Sequence, residues 1–379
     1  MPHGWYDAAL FDLVTIKSGQ VDPRVSPYRE LPLIAPDHLA SGTGRLIKKV
    51  SASAQGAISG KYLVRPGEVI YSKIRPYLQK AYRCDFEALC SADMYPLTPR
   101  RGVDSSFILH SLLGHDFTNF AVSVSARSGI PKINREELAE YRMSVPGWAE
   151  QRAIGQALDD ADNLIAALER LIAKKQAIKQ GMMQQLLTGE TRLPSYTGMR
   201  VECTLGEVAR IKTGSRNNQD KVASGRYPFF VRSATVERIN SYSYDCEAVL
   251  VPGEGGIGSI FHYVDGKFEV HQRVYMISGF APDVSGRYIY HFMRQYFGAH
   301  AMENSVKATV DSLRLPTFKN FLLQVPPVDE QRAIVDAMDD AEAELRLLRG
   351  RLEKARVIKQ GMMQQLLTGR ARLPVEALE

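Results

Sequence analysis

A long internal repeat is the feature that most constrains how this chain can fold. Residues 150–194 recur at 330–374 without a gap, and 26 of the 45 positions are identical. The blocks reproduced 180 positions later include Glu150–Ile154, Asp159–Ala161, Ile178–Gly189 and Arg192–Pro194. An offset of 180 far exceeds the roughly 20 to 50 residues of solenoid repeats. The chain is therefore predicted to contain two copies of one large unit, related by a pseudo-two-fold axis.

Each copy of the repeat is predicted to form one long helix. Apolar residues recur at steps of four and three, which is typical of a narrow helical stripe. The predicted seam comprises Ile154, Leu158, Ile165 and Leu168 in the first copy, and Ile334, Met338, Leu345, Leu348 and Leu352 in the second. No proline interrupts the stretch from about Trp148 to Leu187, and a Leu-Thr-Gly sequence supplies a glycine to end each helix.

A helix of this length cannot bury its own seam. About 40 residues, each rising about 1.5 Å, make a rod of roughly 60 Å. We therefore expect the two helices to pack against each other as an antiparallel coiled coil, with neither domain core including the stripe. Two separate surface helices that never meet are the alternative.

The regions before each helix are predicted to be globular domains of mixed α/β (α+β) structure. Strand-like runs are punctuated by glycine and proline, as in Gly67–Tyr71, Glu247–Val251 and Arg273–Ile277. The predicted segments are a first domain (1–147), a first long helix (148–198), a second domain (199–327) and a second helix with a C-terminal tail (328–379). Nearly identical helices beside diverged domains indicate a constant part that holds a shared partner or spacing, and a variable part that recognises something different on each side.

Composition argues against several classes of protein. No window approaches the roughly 18 apolar residues of a spanning helix and no secretory leader is evident, so we expect no membrane partner and a cytoplasmic location. Four cysteines without a CxxC pair indicate no disulfide framework. The net charge is +6, and the basic excess falls in the domains: residues 1–149 hold 18 basic and 14 acidic groups, and residues 199–325 hold 15 and 12. This distribution slightly favours a polyanionic partner.

Motifs for catalysis are not found in the sequence. Gly253–Gly258 fits GxGxxG, but the strand-like run Ser259–Tyr263 follows where a dinucleotide site requires a helix. There is no GxxxxGK[ST] loop and no NPPY-type or DPPY-type methyltransferase tetrapeptide. No Pro-Asp is followed at nuclease spacing by a carboxylate and a lysine. His262 and His271 have no clustered metal ligands. We expect no catalytic residue, no metal site and no cofactor bound by this chain.

The arrangement of the repeat resembles the specificity subunits of type I restriction-modification systems. The sequence Val-Pro-x-x-x-Glu-Gln-Arg-Ala-Ile occurs at both domain–helix junctions, Val145–Ile154 and Val325–Ile334. Both helices end in Lys-Gln-Gly-Met-Met-Gln-Gln-Leu-Leu-Thr-Gly. Four segments also resemble target-recognition domains of that family: Gly19–Pro23, Tyr28–Pro36, Tyr71–Pro76 and Tyr227–Ser233. One departure is Gly147-Trp148, where the second copy has Pro327-Val328.

The resemblance implies a non-catalytic subunit that gives a restriction system its DNA specificity. Each domain would read one half of a bipartite site in double-stranded DNA, and the helices would space the halves and dock two modification (methyltransferase) subunits. Those partners would bind S-adenosylmethionine, and restriction (translocase and nuclease) subunits would bring ATP and Mg. The alternatives are a coiled-coil scaffold for protein interactions and a stand-alone DNA-binding protein.

Candidate DNA-binding residues are expected in loops that follow strands. Specific binding needs cations for phosphates, and Arg, Lys, Asn or Gln at base edges. The candidates are Lys73, Arg75, Arg127 and Lys132 in the first domain, and Arg216, Asn217, Asn218, Arg232, Ser233, Gly255, Gly256, Arg273 and Lys307 in the second. The pair Arg127 and Lys307 is related by the offset of 180, which suits a phosphate clamp. Glycines allow close approach and offer amide donors. Solvated surface charge or an ordinary turn is the alternative, and for Arg273 a buried ion pair.

Overall fold

The structure is a computed structural model that describes residues 2–125, 129–256, 258–303 and 312–374. It divides into two compact units, which are described separately. The first unit contains Met1–Arg170 and Arg349–Glu379, and the second contains Leu171–Leu348. Each unit therefore holds one globular domain, the beginning of the long helix that follows this domain, and the end of the other long helix.

The first domain is a mixed α/β structure with three small sheets among its described residues. Its strands are β1 (Tyr6–Ala9), β2 (Val14–Ile16), β3 (Leu33–Ile34), β4 (Tyr62–Val64), β5 (Val69–Ser72), β6 (Ala81–Arg83), β7 (Ala88–Cys90), β8 (Met94–Pro99) and β9 (Arg142–Val145). Its helices are α1 (Leu10–Leu13), α2 (Ser105–Leu113), α3 (His115–Ser125) and α4 (Arg135–Ala139). The sheets have the orders β2-β8-β5-β6, β3-β7-β4 and β1-β9.

Pairing of the first and last strands closes the first domain. Strand β1 pairs antiparallel with β9, with Tyr6 opposite Val145, so the start of the domain lies beside its end. The core packs α2 and α3 against the sheet through fully buried aromatic side chains such as Phe107 and Phe117. The side chain of Asp104 caps α2 by accepting a hydrogen bond from the Phe107 amide at 2.9 Å.

The second domain repeats this plan with a larger sheet. Its strands are β10 (Val201–Thr204), β11 (Arg210–Thr213), β12 (Tyr227–Phe230), β13 (Glu237–Ile239), β14 (Tyr244–Pro252), β15 (His262–Val270), β16 (Val274–Ser278) and β17 (Leu322–Val325). Its helices are α6 (Leu205–Val208), α7 (Gly286–Glu303) and α8 (Leu315–Lys319). A six-stranded sheet has the order β11-β16-β14-β15-β12-β13, and β10 pairs with β17 as β1 pairs with β9. The predicted mixed α/β class is confirmed, and the GxGxxG run is followed by strand β15 and not by a helix.

The two long helices are continuous, as the repeat predicts. Helix α5 spans Trp148–Thr188 and helix α9 spans Val328–Leu366. Gly189 and Gly369 follow them with φ of +81° and +68°, the left-handed conformation that glycine adopts at little cost. The Gly189 amide donates to the Gln185 carbonyl at 3.1 Å. Among the described helices, none is both long and apolar enough to cross a membrane.

Segments of the two long helices pack antiparallel within the first unit. Lys359 of α9 forms an ion pair with Asp162 of α5 at 2.6 Å, and Arg356 pairs with Glu169 at 2.8 Å. Residue numbers rise along α5 while those of their partners fall along α9, so the two segments run in opposite directions.

The second unit contains the matching arrangement. Lys175 of α5 pairs with Glu344 of α9 at 2.8 Å, and Lys179 pairs with Glu342 at 2.5 Å. The offset of 180 relates Lys179 to Lys359 and Glu342 to Asp162, so each unit has the same lysine–carboxylate contact. The alternative of two helices that never meet is therefore wrong in both units.

The apolar stripe is buried, but part of it lies in the domain cores. Ile154 and Leu158 belong to the core of the first domain, and Ile334 and Met338 to the core of the second. The expectation that neither core includes the stripe is wrong at the start of each helix. Each helix begins three residues after the last strand of its domain, so its first turns stay against that domain. Farther along, Ile165, Leu345 and Leu348 are buried outside those two cores, and Leu168 and Leu352 are half-buried.

Candidate nucleic-acid interface

A buried glutamate at the start of each long helix ties that helix to its unit. In the first unit Glu150 accepts hydrogen bonds from Arg372 at 2.7 and 2.8 Å, and from the Trp5 indole at 3.2 Å. In the second unit Glu330 accepts hydrogen bonds from Arg192, with Nε at 3.1 Å, and from Arg200 at 2.9 Å. The repeated Glu-Gln-Arg and Arg-Leu-Pro motifs thus meet in space: the glutamate opening one helix binds the arginine that follows the other.

The electrostatics of Glu330 follow from these contacts. Its side chain is fully buried, and burial raises the pKa of a carboxyl group. Hydrogen bonds from Arg192 and Arg200 more than offset burial, so the pKa of Glu330 lies below its ordinary value. The carboxylate therefore remains charged and paired at neutral pH.

The other repeated polar residues also make internal contacts. Gln151 accepts from the Asp104 amide at 3.0 Å and donates to the Pro146 carbonyl at 2.9 Å. Gln331 makes the equivalent contacts with Ser285 and Pro326, both at 2.8 Å. These side chains link the last strand, the long helix and α2 or α7 of the same unit.

Two buried histidines add to these contacts between each domain and its long helix, which we call the joints. His110 Nε2 lies 2.8 Å from Asp159, and His291 Nε2 lies 3.2 Å from Asp339, the repeat partner of Asp159. Burial lowers the pKa of His291, although Asp339 and Glu342 oppose the shift. The repeat therefore fixes each domain rigidly to its own stretch of helix pair.

The predicted DNA-binding loops occupy corresponding places in the two domains. After β5, Ile74 forms a backbone bridge with Lys132, and after β14, Glu254 forms a bridge with Ser312. The offset of 180 relates both members of these pairs. The loop at Lys73–Arg75 and the glycine-rich loop after β14 are therefore structural equivalents.

In the first domain this place is strongly basic. Lys73 and Lys132 lie on adjoining segments, because the Ile133 amide donates to the Lys73 carbonyl at 2.9 Å. Arg135 joins them: its guanidinium lies 5.9 Å from the Tyr95 ring centre, and the Lys73 ammonium lies 5.6 Å from it. We call Lys73, Lys132 and Arg135 the basic cluster. Within the described part of the chain, none of the three forms an ion pair.

The positive charges of the basic cluster repel one another. The pKa of Lys73 is lowered, chiefly by partial burial and next by the charge of Lys132. An anion between these side chains would relieve that repulsion, as a DNA phosphate would. Arg75 is exposed next to them and has a left-handed backbone, with φ of +50°. Arg135 is missing from the sequence prediction, although its position three residues after Lys132, at the start of α4, is a signal for it.

In the second domain the same place has different chemistry. Arg232 lies 3.1 Å from a carboxylate oxygen of Glu254, and Arg273 binds the other oxygen. We call these three residues the Arg–Glu–Arg cluster. The side chains of Arg232 and Arg273 are 48% and 58% exposed, so Arg273 is paired, as the alternative suggested, but it is not buried. Glu254 is not among the residues predicted from sequence.

Other predicted residues lie beside the Arg–Glu–Arg cluster. Arg216 pairs with the fully buried Glu269 at 3.3 Å, and its backbone bridges His271. The Asn217 side chain accepts a hydrogen bond from the Gln272 amide at 2.5 Å, which brings two exposed amide groups together. Asn218 is exposed next to them.

His271 lies beneath this surface and is held neutral. Burial lowers its pKa, and the nearby charges of Arg232 and Arg273 lower it further. A neutral imidazole adds hydrogen-bonding capacity without adding charge.

The remaining predicted positions differ in how they are used. The Ser233 hydroxyl donates to the Thr235 carbonyl at 2.9 Å, so it stabilises its own turn. Gly255 and Gly256 are exposed with φ of +72° and +94°, which explains glycine there. Arg127 and Lys307 lie outside the described residues. Across the described ranges, no group of three or more His, Cys, Asp and Glu residues could hold a metal ion.

Comparison with known proteins identifies the family. The family model described as "Type I restriction modification DNA specificity domain" matches residues 2–180 and 200–356. The type I restriction enzyme EcoDI specificity subunit of Escherichia coli is 32% identical over 194 residues, covering 50% of this chain and 43% of that protein. The type I restriction enzyme MjaVIII specificity subunit of Methanocaldococcus jannaschii is 21% identical over 324 residues, covering 76% of this chain and 75% of that protein.

A solved structure has the same fold. The crystal structure of the type I restriction-modification S subunit from M. genitalium matches with a TM-score of 0.66 at 14% identity, covering 96% of each chain. The two stretches that match the family model contain both domains and most of both long helices. The chain therefore belongs to the type I restriction-modification DNA specificity family, and it carries two copies of the family's DNA specificity domain.

Proposed function

We propose that this chain is the non-catalytic specificity subunit of a type I restriction-modification enzyme, in which each domain reads one half of a bipartite site in duplex DNA. One observation carries the proposal. The two domains present polar clusters at the same place in their folds, and these clusters are built from different side chains. Equivalent surfaces with different chemistry suit two unlike half-sites.

The two clusters suit different parts of the duplex. The basic cluster offers three cations and no paired carboxylate among the described residues, which favours contact with phosphates. The second domain instead offers two guanidinium groups beside the amides of Asn217 and Gln272, which are the groups that read purines in the major groove.

The repeated joints support a role for the helices in spacing. In each unit a buried glutamate, a glutamine and an aspartate fix the domain to a pair of antiparallel helix segments. We infer that the length of the helices sets the number of base pairs between the half-sites. Because both joints use the same repeated residues, they also explain why the helices vary less than the domains.

One exposed face of the repeat supports a partner that binds twice. Lys174, Ile178, Gly181 and Gln185 lie on one face of α5 and recur identically on α9 as Lys354, Ile358, Gly361 and Gln365. Ile178 and Ile358 are 53% and 51% exposed. No described residue comes within 4 Å of a Cβ placed at either glycine, so packing within the described part of the chain does not explain glycine there. Glycine inside a helix costs about 1 kcal/mol relative to alanine. We call these two surfaces the repeat patches.

We infer that each repeat patch docks one methyltransferase subunit. An exposed isoleucine beside a glycine allows close approach of another protein, and two identical patches require two copies of the same partner. S-adenosylmethionine would then be bound by these partners, and ATP and Mg by restriction subunits that join the complex.

Duplex binding at increasing salt concentration tests the DNA role. Phosphate contacts release counterions, so binding should weaken steeply, by about 0.9 in log K per log salt for each phosphate contacted. A protein scaffold would show no such dependence. A flat response would exclude DNA recognition and leave the scaffold alternative.

Co-purification with a methyltransferase tests the repeat patches. Ile178→Asp alone should leave one methyltransferase per chain, and Ile178→Asp with Ile358→Asp should leave none. Leu164→Glu is the matched control, because Leu164 is 54% exposed on α5 and its repeat partner is Glu344. Two bound subunits in the double variant would exclude docking at these patches and favour a stand-alone DNA-binding protein or another docking surface.

A further inference from the structure

The Arg–Glu–Arg cluster contains a carboxylate where a DNA-binding surface would be expected to be cationic. Glu254 lies in the glycine-rich loop after β14, and its side chain is 19% exposed. Arg232 follows β12 and Arg273 precedes β16, so three separate segments meet at one carboxylate. The backbone holds the loop in place, because the Gly253 amide donates to the Arg273 carbonyl at 2.9 Å.

A carboxylate at this position argues against contact with phosphates. Like charges a few ångströms apart repel, and a phosphate next to Glu254 would lose much of its attraction to the two arginines. Glu254 would not repel the edges of the bases in this way. Guanine presents two acceptors, O6 and N7, which match a guanidinium group, and its partner cytosine presents an N4 amino donor, which matches a carboxylate. A G·C pair therefore offers the groups that complement Arg232, Arg273 and Glu254.

The ion pairs also fix the positions of the two arginine side chains before DNA binds. Each guanidinium gives an N–H group to Glu254 and keeps other donors, with about half of each side chain exposed. Free arginine side chains lose rotamer entropy when they bind. Ion pairs that hold both guanidinium groups in the free protein reduce that cost, and they fix the direction of the remaining donors.

We propose that Glu254 is a specificity-determining residue, which positions Arg232 and Arg273 to read guanine, so that the half-site of the second domain contains a G·C pair. This proposal rests on the proposed function, because it requires the second domain to bind DNA. The equivalent position in the first domain is Ile74, so the basic cluster has no carboxylate at this position to hold its side chains.

Selection from a randomised half-site tests the proposal. The full chain, purified with its methyltransferase subunits, binds duplexes in which the half-site of the first domain is fixed and that of the second is randomised. Bound duplexes are sequenced for wild type, Glu254→Gln, Glu254→Asp and the control Glu237→Gln. Glu237 pairs with Lys221 at 3.1 Å in the same domain, so its substitution removes the same charge outside the cluster.

We expect Glu254→Gln to reduce the preference for guanine at one or two adjacent positions by about 5-fold to 100-fold, the range of one bidentate arginine contact. Binding to unrelated duplex should stay the same or rise, since one negative charge is removed. Glu254→Asp should restore part of the preference, and Glu237→Gln should leave all base preferences unchanged.

Other outcomes separate the two proposals. Wild type without any base preference in the randomised half would contradict the proposed function itself. Wild type with a clear preference that Glu254→Gln leaves intact would overturn the role of Glu254 alone. An equal rise in affinity for all sequences, matched by Glu237→Gln, would also overturn it, because Glu254 would then act only through its charge.

Discussion

Replacing Glu330 with alanine should destabilise the second unit substantially and leave the first unit almost unchanged. Glu330 is fully buried and binds Arg192 and Arg200, whose side chains are 27% and 11% exposed. Removing one partner of a buried ion pair costs about 3 to 5 kcal/mol, because the remaining charge stays buried. Arg200 keeps hydrogen bonds to the carbonyls of Leu186 and Leu187, and Arg192 can rehydrate. We therefore expect Glu330→Ala to lower the free energy of unfolding by about 3 kcal/mol, the lower end of that range.

The equivalent change in the first unit provides a matched comparison. Glu150 is 5% exposed, but its partner Arg372 is 45% exposed and can be solvated after Glu150→Ala. The loss there should be about 1 to 2 kcal/mol, including the acceptor lost by the Trp5 indole. The two variants should therefore differ in unfolding free energy by at least about 1 kcal/mol.

The tryptophans make the assay specific for one unit. The chain has two, Trp5 and Trp148, and both belong to the first unit. In urea denaturation, Glu150→Ala should shift the transition seen by tryptophan fluorescence. Glu330→Ala should leave the transition seen by tryptophan fluorescence in place and should shift a transition seen by circular dichroism. A loss below about 1 kcal/mol for Glu330→Ala, or an equal shift in fluorescence, would refute the argument from burial.

The effect of Glu330 should also depend on pH. Because its pKa in the folded chain lies below the ordinary 4.5, it adds stability above pH 4.5 and loses it as the pH falls through the lowered value. The difference between wild type and Glu330→Gln should be largest near pH 7 and shrink in acid. A difference that grows below pH 4.5 would have the wrong sign.

Three further predictions concern DNA binding and the helices. Lys73→Ala and Lys132→Ala should each reduce the salt slope of duplex binding by about 0.9 without altering base preference, and an altered preference would assign these lysines to bases. Four residues inserted after both Lys174 and Lys354 lengthen each helix by about 6 Å. The spacer between the half-sites of the methylated site should grow by about two base pairs, at roughly 3.4 Å each. An unchanged spacer would show that the helices do not set the distance between the half-sites. Leu348→Asp places an unpaired carboxylate at a site that is 6% exposed, so it should lower the free energy of unfolding by at least about 2 to 5 kcal/mol. Duplexes with two half-sites should then bind no more tightly than duplexes with one. Tighter binding to two half-sites, as in wild type, would contradict the packing of the helices.

The helices could be predicted closely from the sequence because the information is local and duplicated. A period between three and four predicts the buried stripe, and the glycine of Leu-Thr-Gly marks the end of each helix at Gly189 and Gly369. The packing of Ile154 and Ile334 into the domain cores was not predicted. Periodicity identifies the apolar face of a helix, but it does not say which of several neighbours covers that face.

The candidate site could be predicted only in part, for a related reason. Lys73 was predicted because it follows a strand, and Lys132 was predicted because it lies near Arg127 in the chain. Arg135 and Glu254 were missed, since their roles depend on which segments the sheet brings together. Glu254 meets Arg232 and Arg273, which are 22 and 19 positions away in the chain. No local pattern in the sequence indicates that contact.

Mapping of methylated bases after a domain exchange tests the central claim most directly. Residues 1–145 are replaced by the corresponding domain of another specificity subunit, and the hybrid is expressed with its methyltransferase in a host that lacks the modification. If each domain reads its own half-site, the methylated motif should change in one half only, with the other half and the spacer length retained. A change in both halves, or the original motif unchanged, would contradict independent reading by the two domains.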